Sequence, residues 1–260
     1  MQAQTIDEVI IQLEFIINES IKTNNRIGYF TSLYHKVTCH VRDGIKNNVF
    51  DDGKRMEQFD VLFANRFLNA WEQYDKGDKT SQSWLIVFDS TKKKSLLVLQ
   101  HLLLGINTHI NLDLGIAVVE TMNGKNLKDI QNDFNKINVI LAALSYELIR
   151  DIDQVSPLMS LMGLHAENKS SVLIQFTIEN ARNGAWNFAE ELFDKTGTDY
   201  NSCIISRDIS IKNLANGIMH FSGIINFTLW LIHLFEWKNV GKIIKTIYTL
   251  KKQYFKNSPS

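Results

Sequence analysis

Residues 96–119 of the chain read LLVLQHLLLGINTHINLDLGIAVV. Apolar side chains occur on every side of this stretch when it is wound as a helix, and no proline interrupts it. A helix that is apolar all round is usually buried on all sides. We therefore predict an all-α fold, a single-domain multi-helix bundle built around a buried central helix at about residues 96–119.

This apolar stretch also carries polar residues, namely His101, Asn107, Thr108, His109, Asn111 and Asp113. A buried polar group without a partner destabilises a fold by about 1–3 kcal/mol, so these residues need partners. Positions 101, 105, 109 and 113 step by four and lie along one helix face. Because position 105 is glycine, the face has space there for a ligand, a water cluster or another helix.

Three interpretations of this polar face remain open. His109 and Asp113 have a spacing that allows one divalent metal ion to be held, with His35, His40 or Asp60 as further ligands. Alternatively, Asp113 fixes the tautomer of His109 in a metal-free pocket. The third interpretation is a structural hydrogen-bond network. We take His109, Asp113 and His101 as candidate catalytic residues, His109 and Asp113 as candidate metal ligands, and a divalent metal as the candidate cofactor.

The rest of the chain has helical periodicity throughout. Thr5 and Glu8 have the spacing of a capping box at the start of a helix. A stripe of aromatic residues spaced by four, Phe59, Phe63, Phe67 and Trp71, predicts a core-facing helix at about residues 54–74. The single internal proline, Pro157, allows long helices. With no repeat and no low-complexity linker, residues 1–260 are predicted to form one domain.

Composition excludes several classes of protein. Lys+Arg and Asp+Glu both number 28, so the formal net charge is zero, which argues against a nucleic-acid-binding protein. The amino terminus lacks the pattern of a secretory signal, and no run of about 18 uninterrupted apolar residues predicts a transmembrane segment. Two cysteines are too few for a disulfide framework. We expect a soluble, cytoplasmic protein.

Further candidate residues lie outside the central helix. On the predicted helix at residues 54–74, Arg66 can reach a carboxylate of a neighbouring helix, such as Asp113. Arg182 and Trp186 share a face of a later helix, and an arginine beside a tryptophan can form a cation–π contact or bind an anion. The expected partner is therefore a small polar or anionic molecule.

Residues 100–117, QHLLLGINTHINLDLGIA, resemble the signature of a bacterial family of unknown function. The segments at 59–68, FDVLFANRFL, and at 181–186, ARNGAW, are similar to that family as well, so that the resemblance covers about residues 30–215. It implies that the family tends to keep Asp60, Asn65, Arg66, His101, Asn107, His109, Asn111, Asp113, Arg182 and Trp186. We treat Asp60, Asn65, Arg66, Asn107, Asn111, Arg182 and Trp186 as candidate ligand-binding residues.

The family resemblance implies no named activity. Helical zinc-dependent phospholipases and nucleases also place His and Asp on core helices, but this is an analogy of fold, and the chain lacks their fuller ligand set, including an amino-terminal tryptophan ligand. A metal-dependent hydrolase is one hypothesis. The alternatives are a non-catalytic small-molecule binding module and a structural protein.

Overall fold

A computed structural model describes residues 2–163, 169–220 and 223–249, without the side chains of residues 162–177 and 223–225. The described residues are 81% helical and include no strand, which confirms the predicted all-α class. The helices are α1 Ile6–Thr23, α2 Ile27–Lys46, α3 Gly53–Lys76, α4 Gln82–Ser90, α5 Val98–Thr108, a π-helix His109–Leu114, α6 Gly115–Met122, α7 Lys128–Val155, a 3-10 helix Met159–Gly163, α8 Lys169–Phe193, α9 Gly197–Met219, α10 Gly223–Phe235 and α11 Val240–Tyr248.

The central helix consists of α5, the π-helix and α6, and runs without a break from Val98 to Met122. It ends at Asn123, which adopts a left-handed conformation with φ of 44° and donates its N–H to the Val119 carbonyl. Helices α2, α3, α4, α8 and α9 surround it. It alone among the described helices is long and apolar enough to cross a bilayer, and 78% of its apolar window is buried inside the protein. The prediction of a buried central helix is confirmed.

The surrounding helices are amphipathic, as the periodicity predicts. In α1, the Thr5 hydroxyl accepts the backbone N–H of Glu8, which confirms Thr5 as the helix cap. The Glu8 carboxylate accepts the N–H of Gln4 instead of that of Thr5, so only half of the predicted capping box forms. Val9 and Leu13 then face the core. The apolar face of α1 is thereby buried, mainly against α2 and α3.

Two glycines allow the central helix to pack closely against its neighbours. A Cβ atom at Gly105 would lie 2.4 Å from the ring of Phe30 on α2, so this ring fills the space that the sequence left open for a ligand, water or a helix. A Cβ atom at Gly115 would lie 2.8 Å from the Ala185 carbonyl oxygen on α8. The first glycine admits an aromatic side chain and the second admits a helix backbone.

For the short apolar patch at residues 84–88 the sequence predicts a short helix or an extended cover, and the structure shows a helix. Residues 82–90 form α4, because Asp208 of α9 accepts the backbone N–H groups of Gln82 and Ser83 at its amino terminus. An anion at a helix amino terminus stabilises that helix. This partner is 125 residues away in the chain, so local sequence could not reveal it. The sequence also predicts helical segments at about residues 158–164, 221–237 and 240–255, and parts of these ranges lie outside the described residues.

The glycine at position 115 gives a test of the packing. We expect Gly115→Ala to destabilise the protein by about 1–3 kcal/mol, because the added methyl group meets the backbone of α8. Gly217→Ala is the matched control, since a Cβ atom at this exposed helical position would meet nothing. It should stabilise by about 0.5–1 kcal/mol through helix propensity. Urea denaturation measures both; equal effects of the two variants would contradict the packing described.

Candidate functional site

The candidate site is centred on the π-helix in the middle of the central helix. Its hydrogen bonds join residues five apart, and single π turns of this kind occur frequently at functional sites. Arg207 of α9 donates through Nε to the Asn111 carbonyl, at 2.8 Å. The Asn107 amide donates to the Ile211 carbonyl and accepts from the Asn111 amide. Contacts from α9 thus support the irregular turn on one side.

Asp113 is the most heavily hydrogen-bonded side chain of this turn. Its carboxylate accepts from His109 Nδ1 at 3.1 Å, from Trp84 Nε1 at 2.9 Å and from Arg66 Nε at 3.1 Å. Only 1% of Asp113 is exposed, so these three donors replace water around a buried charge. The predicted contact between Arg66 and Asp113 is confirmed. Arg66 also lies 3.5 Å from a carboxylate oxygen of Glu120.

His109 is held in one orientation by its neighbours. Because Asp113 accepts a hydrogen bond, we assign the proton to Nδ1, which leaves Nε2 as an acceptor. The imidazole stacks on Phe63, with ring centroids 3.7 Å apart, and meets the edge of Tyr34 at 4.4 Å. Burial lowers the pKa of His109 although Asp113 opposes the shift. His109 is therefore neutral at neutral pH, and Nε2 has no partner among the described residues.

A largely apolar cavity with a volume of about 80 Å³ adjoins His109. Helices α2, α3, α7 and α8 and the central helix contribute its wall, which consists of Phe30, Leu33, Tyr34, Val37, Val41, Phe59, Asp60, Phe63, Ile106, His109, Ile110, Leu114, Ile137, Leu141, Leu144, Ser145, Leu148, Ile178 and Arg182. Three polar atoms of this wall, the Tyr34 hydroxyl, Asp60 Oδ2 and His109 Nε2, are buried with no hydrogen-bond partner among the described residues. Native proteins leave few such atoms unsatisfied, so their convergence points to a ligand or ordered water.

The titratable groups of the cavity have displaced pKa values. Burial, with a smaller contribution from Glu57, raises the pKa of Asp60 from 3.8 to about 7. Burial raises the pKa of Tyr34 well above its usual value, and the carboxylates of Asp60 and Asp113 add to the shift. Burial lowers the pKa of Arg182 to about 9. Displaced pKa values that cluster in a cavity are typical of functional sites.

Arg182 has an aromatic partner, but not the predicted one. Its guanidinium lies 4.1 Å from the ring centroid of Phe134, and its Nε donates to the Asn138 side chain. Trp186 packs against the same phenylalanine and donates its indole N–H to Glu190. Both residues thus contact Phe134 of the neighbouring helix α7, which is an interhelical contact and not a cation–π pair between Arg182 and Trp186.

The structure separates the remaining candidates from the cavity. His101 lies about 12 Å along the helix from His109, packs on Tyr29, and has its pKa lowered to about 3 by burial. Asn65 exchanges two hydrogen bonds with the backbone of Ala3. The residues that the cavity brings together are Asp60, His109 and Arg182, and those that do not line it are His101, Asn65, Arg66, Asn107, Asn111, Asp113 and Trp186. Functional roles for all of them stay predictions.

The described residues contain no group of three His, Cys, Asp or Glu side chains close enough to hold a metal ion. His35 contacts Glu14 at 3.2 Å, and His40 contacts the Lys36 carbonyl, so neither joins His109. Asp113 is occupied by its three donors. Metal binding by His109 and Asp113 stays a prediction.

Sequence reasoning missed two residues of the site. Trp84 had only been noted as part of a short apolar patch, and nothing local relates it to Asp113, which lies 29 residues away. No motif or spacing in the sequence pointed to Tyr34 as a residue of the site. Phe63 was found, as part of the aromatic stripe, but was expected only to pack in the core. Its contact with His109 depends on how α3 approaches the π-helix.

Comparison with known proteins shows that the chain belongs to a family of unknown function (DUF5995), which it matches over residues 6–221. This confirms the resemblance noted from the sequence. The matched region contains the whole Asp113 cluster and every residue of the cavity wall. No curated protein and no solved structure matches the chain.

Coupling between His109 and Asp113 can be measured with a double-mutant cycle. We expect Asp113→Ala to lower the free energy of unfolding by about 3–5 kcal/mol, because it leaves the donors on His109, Trp84 and Arg66 without an acceptor. The double variant with Asp113→Ala and His109→Ala should lose clearly less stability than the sum of the two single losses, since the two residues share one hydrogen bond. Asp75→Ala, at an exposed position of α3, is the control and should have little effect. Additive losses in chemical denaturation would show that the pair is uncoupled.

Asp60 should make stability depend on pH in a defined direction. Its pKa is higher in the folded state than in the unfolded state, so the folded protein binds the extra proton between about pH 4 and 7. Its contribution to stability is therefore present below pH 4 and is lost as the pH rises through 7. Asp60→Asn, which cannot ionise, should gain stability relative to wild type over that range. Melting temperatures from pH 4 to 8 measure this; a constant difference between the proteins would contradict it.

Proposed function

We propose that the protein binds a small, mainly apolar molecule in the cavity beside His109. The observation that carries the proposal is the convergence of three buried, unpartnered polar atoms, from Tyr34, Asp60 and His109, in an otherwise apolar wall. Ligand sites are typically apolar cavities with a few convergent polar groups. The apolar wall supplies affinity through burial, at about 25 cal/mol per Å². The polar atoms supply orientation.

Part of the cavity wall is incompletely buried. Val37, Phe63, Leu141 and Ile178 belong to its wall and are only half-buried, whereas Phe59 and Leu114 on the inner wall are buried. We propose that a ligand enters between these half-buried side chains. A protein that carries small apolar molecules needs both an enclosed wall and such an entrance.

Hydrolysis of the bound molecule is the second candidate function, and the His109–Asp113 pair favours it. A neutral histidine whose Nδ1 proton is held by a carboxylate offers Nε2 as a general base. Asp60, with a pKa of about 7, is a candidate acid in the same cavity. In a metal-dependent version of this hypothesis, His109 would bind the ion through Nε2, and Asp113, the other candidate ligand from the sequence, would orient His109.

A pair of valine substitutions tests the binding proposal. 1-Octanol is a suitable probe, and it should raise the melting temperature of wild type because only the folded state binds it. Val37→Phe fills the cavity and should abolish the increase. Val49→Phe, at an exposed position after α2, is the matched control and should keep it. Circular dichroism confirms that each variant is folded.

The proposal fails if none of octanol, octanoate or octylamine binds wild type in calorimetry, or if Val37→Phe binds as well as wild type. Elemental analysis tests the metal-dependent version separately. Protein purified without chelator or affinity-tag metal should contain a stoichiometric divalent ion that His109→Ala loses. Absence of that ion from wild type would contradict the metal-dependent version and leave the binding proposal intact.

A further inference from the structure

We propose that the ligand of this cavity is an amphiphilic monocarboxylate, whose carboxylate is bound by Arg182 and whose apolar body occupies the rest of the cavity. This inference rests on the proposed binding function and deepens it. Arg182 lines the cavity, is only 4% exposed, and forms no ion pair with any described residue.

Several other buried charged groups in the described part of the chain have partners, in contrast to Arg182. Lys36 pairs with Asp151 at 3.2 Å, and Asp133 pairs with Arg55 and Lys136. Charges are buried in proteins when they are paired, because the loss of hydration must be offset. Burial accordingly lowers the pKa of Arg182 and no carboxylate opposes the shift. An incoming carboxylate would supply the missing partner.

Contacts within the protein also fix the position of the Arg182 guanidinium before any ligand binds. Nε donates to Asn138 at 2.6 Å, Nη2 donates to the Phe134 carbonyl, and the Phe134 ring lies against the guanidinium. These contacts fix its position and leave Nη1 without an acceptor among the described residues. A guanidinium that is already fixed loses little conformational freedom on binding, which favours recognition of a planar carboxylate.

The apolar composition of the cavity wall determines which kind of ligand body fits beside the carboxylate. Apart from Tyr34, Asp60, His109, Ser145 and Arg182, every wall residue is apolar. The Ser145 hydroxyl already donates a hydrogen bond to the Leu141 carbonyl. An anion with several charges or many hydroxyl groups would leave polar atoms unsatisfied against such a wall. A single carboxylate on a hydrocarbon body satisfies both the arginine and the wall.

Three ligands with the same eight-carbon tail test the inference on the unmodified protein. Octanoate, 1-octanol and octylamine are titrated into the full chain at neutral pH in a calorimeter. We expect octanoate to bind at least about ten-fold more tightly than octanol, and octylamine to bind most weakly. Equal binding of octanol and octanoate would overturn the carboxylate inference while the binding function stands. Tightest binding of octylamine would overturn it as well, and no binding of any of the three would remove the binding function itself.

Arg182→Lys tests the role of the guanidinium, since it keeps the positive charge and loses the fixed geometry. We expect it to weaken octanoate binding about ten-fold or more and to leave octanol binding nearly unchanged. Arg150→Lys, at an exposed position of α7, is the matched control and should bind both as wild type does. Unchanged octanoate binding by folded Arg182→Lys would overturn the assignment of Arg182. If that variant does not fold, the three-ligand comparison on wild type decides the inference.

Discussion

The buried carboxylate of Asp113 is the interaction on which the centre of this structure depends. It joins Arg66 of α3, Trp84 of α4 and His109 of the π-helix through one side chain that water does not reach. A carboxylate in such a place is stable only when its donors are in position. The packing of α3 and α4 against the central helix, and the orientation of His109, are therefore one arrangement and not separate features.

The central helix combines this polar cluster with close packing. Gly105 lets the ring of Phe30 approach, and Gly115 lets the backbone of α8 approach. Between these positions the helix changes to π geometry, and the Asn111 carbonyl of this turn accepts a hydrogen bond from Arg207. The cost of glycine and of π geometry in a helix is offset by contacts that only this arrangement allows.

The cavity follows from the same arrangement. Since Asp113 holds Nδ1 of His109, Nε2 is left unpartnered on a ring that forms part of the cavity wall. Tyr34 and Asp60 reach the cavity from α2 and α3, and Arg182 reaches it from α8. Five parts of the chain thus contribute to one largely apolar space with few polar groups, which is the physical basis for proposing a small-molecule ligand.

The sequence by itself determined the helical class and the central helix to within three residues at either end. These follow from periodicity and from residue chemistry, which are local properties. Only the tertiary structure decided that Trp84 completes the Asp113 cluster, that Phe30 fills the space at Gly105, and that Phe134 covers Arg182. Each of these contacts joins residues that are tens of positions apart. They depend on how helices approach one another, which local patterns do not encode.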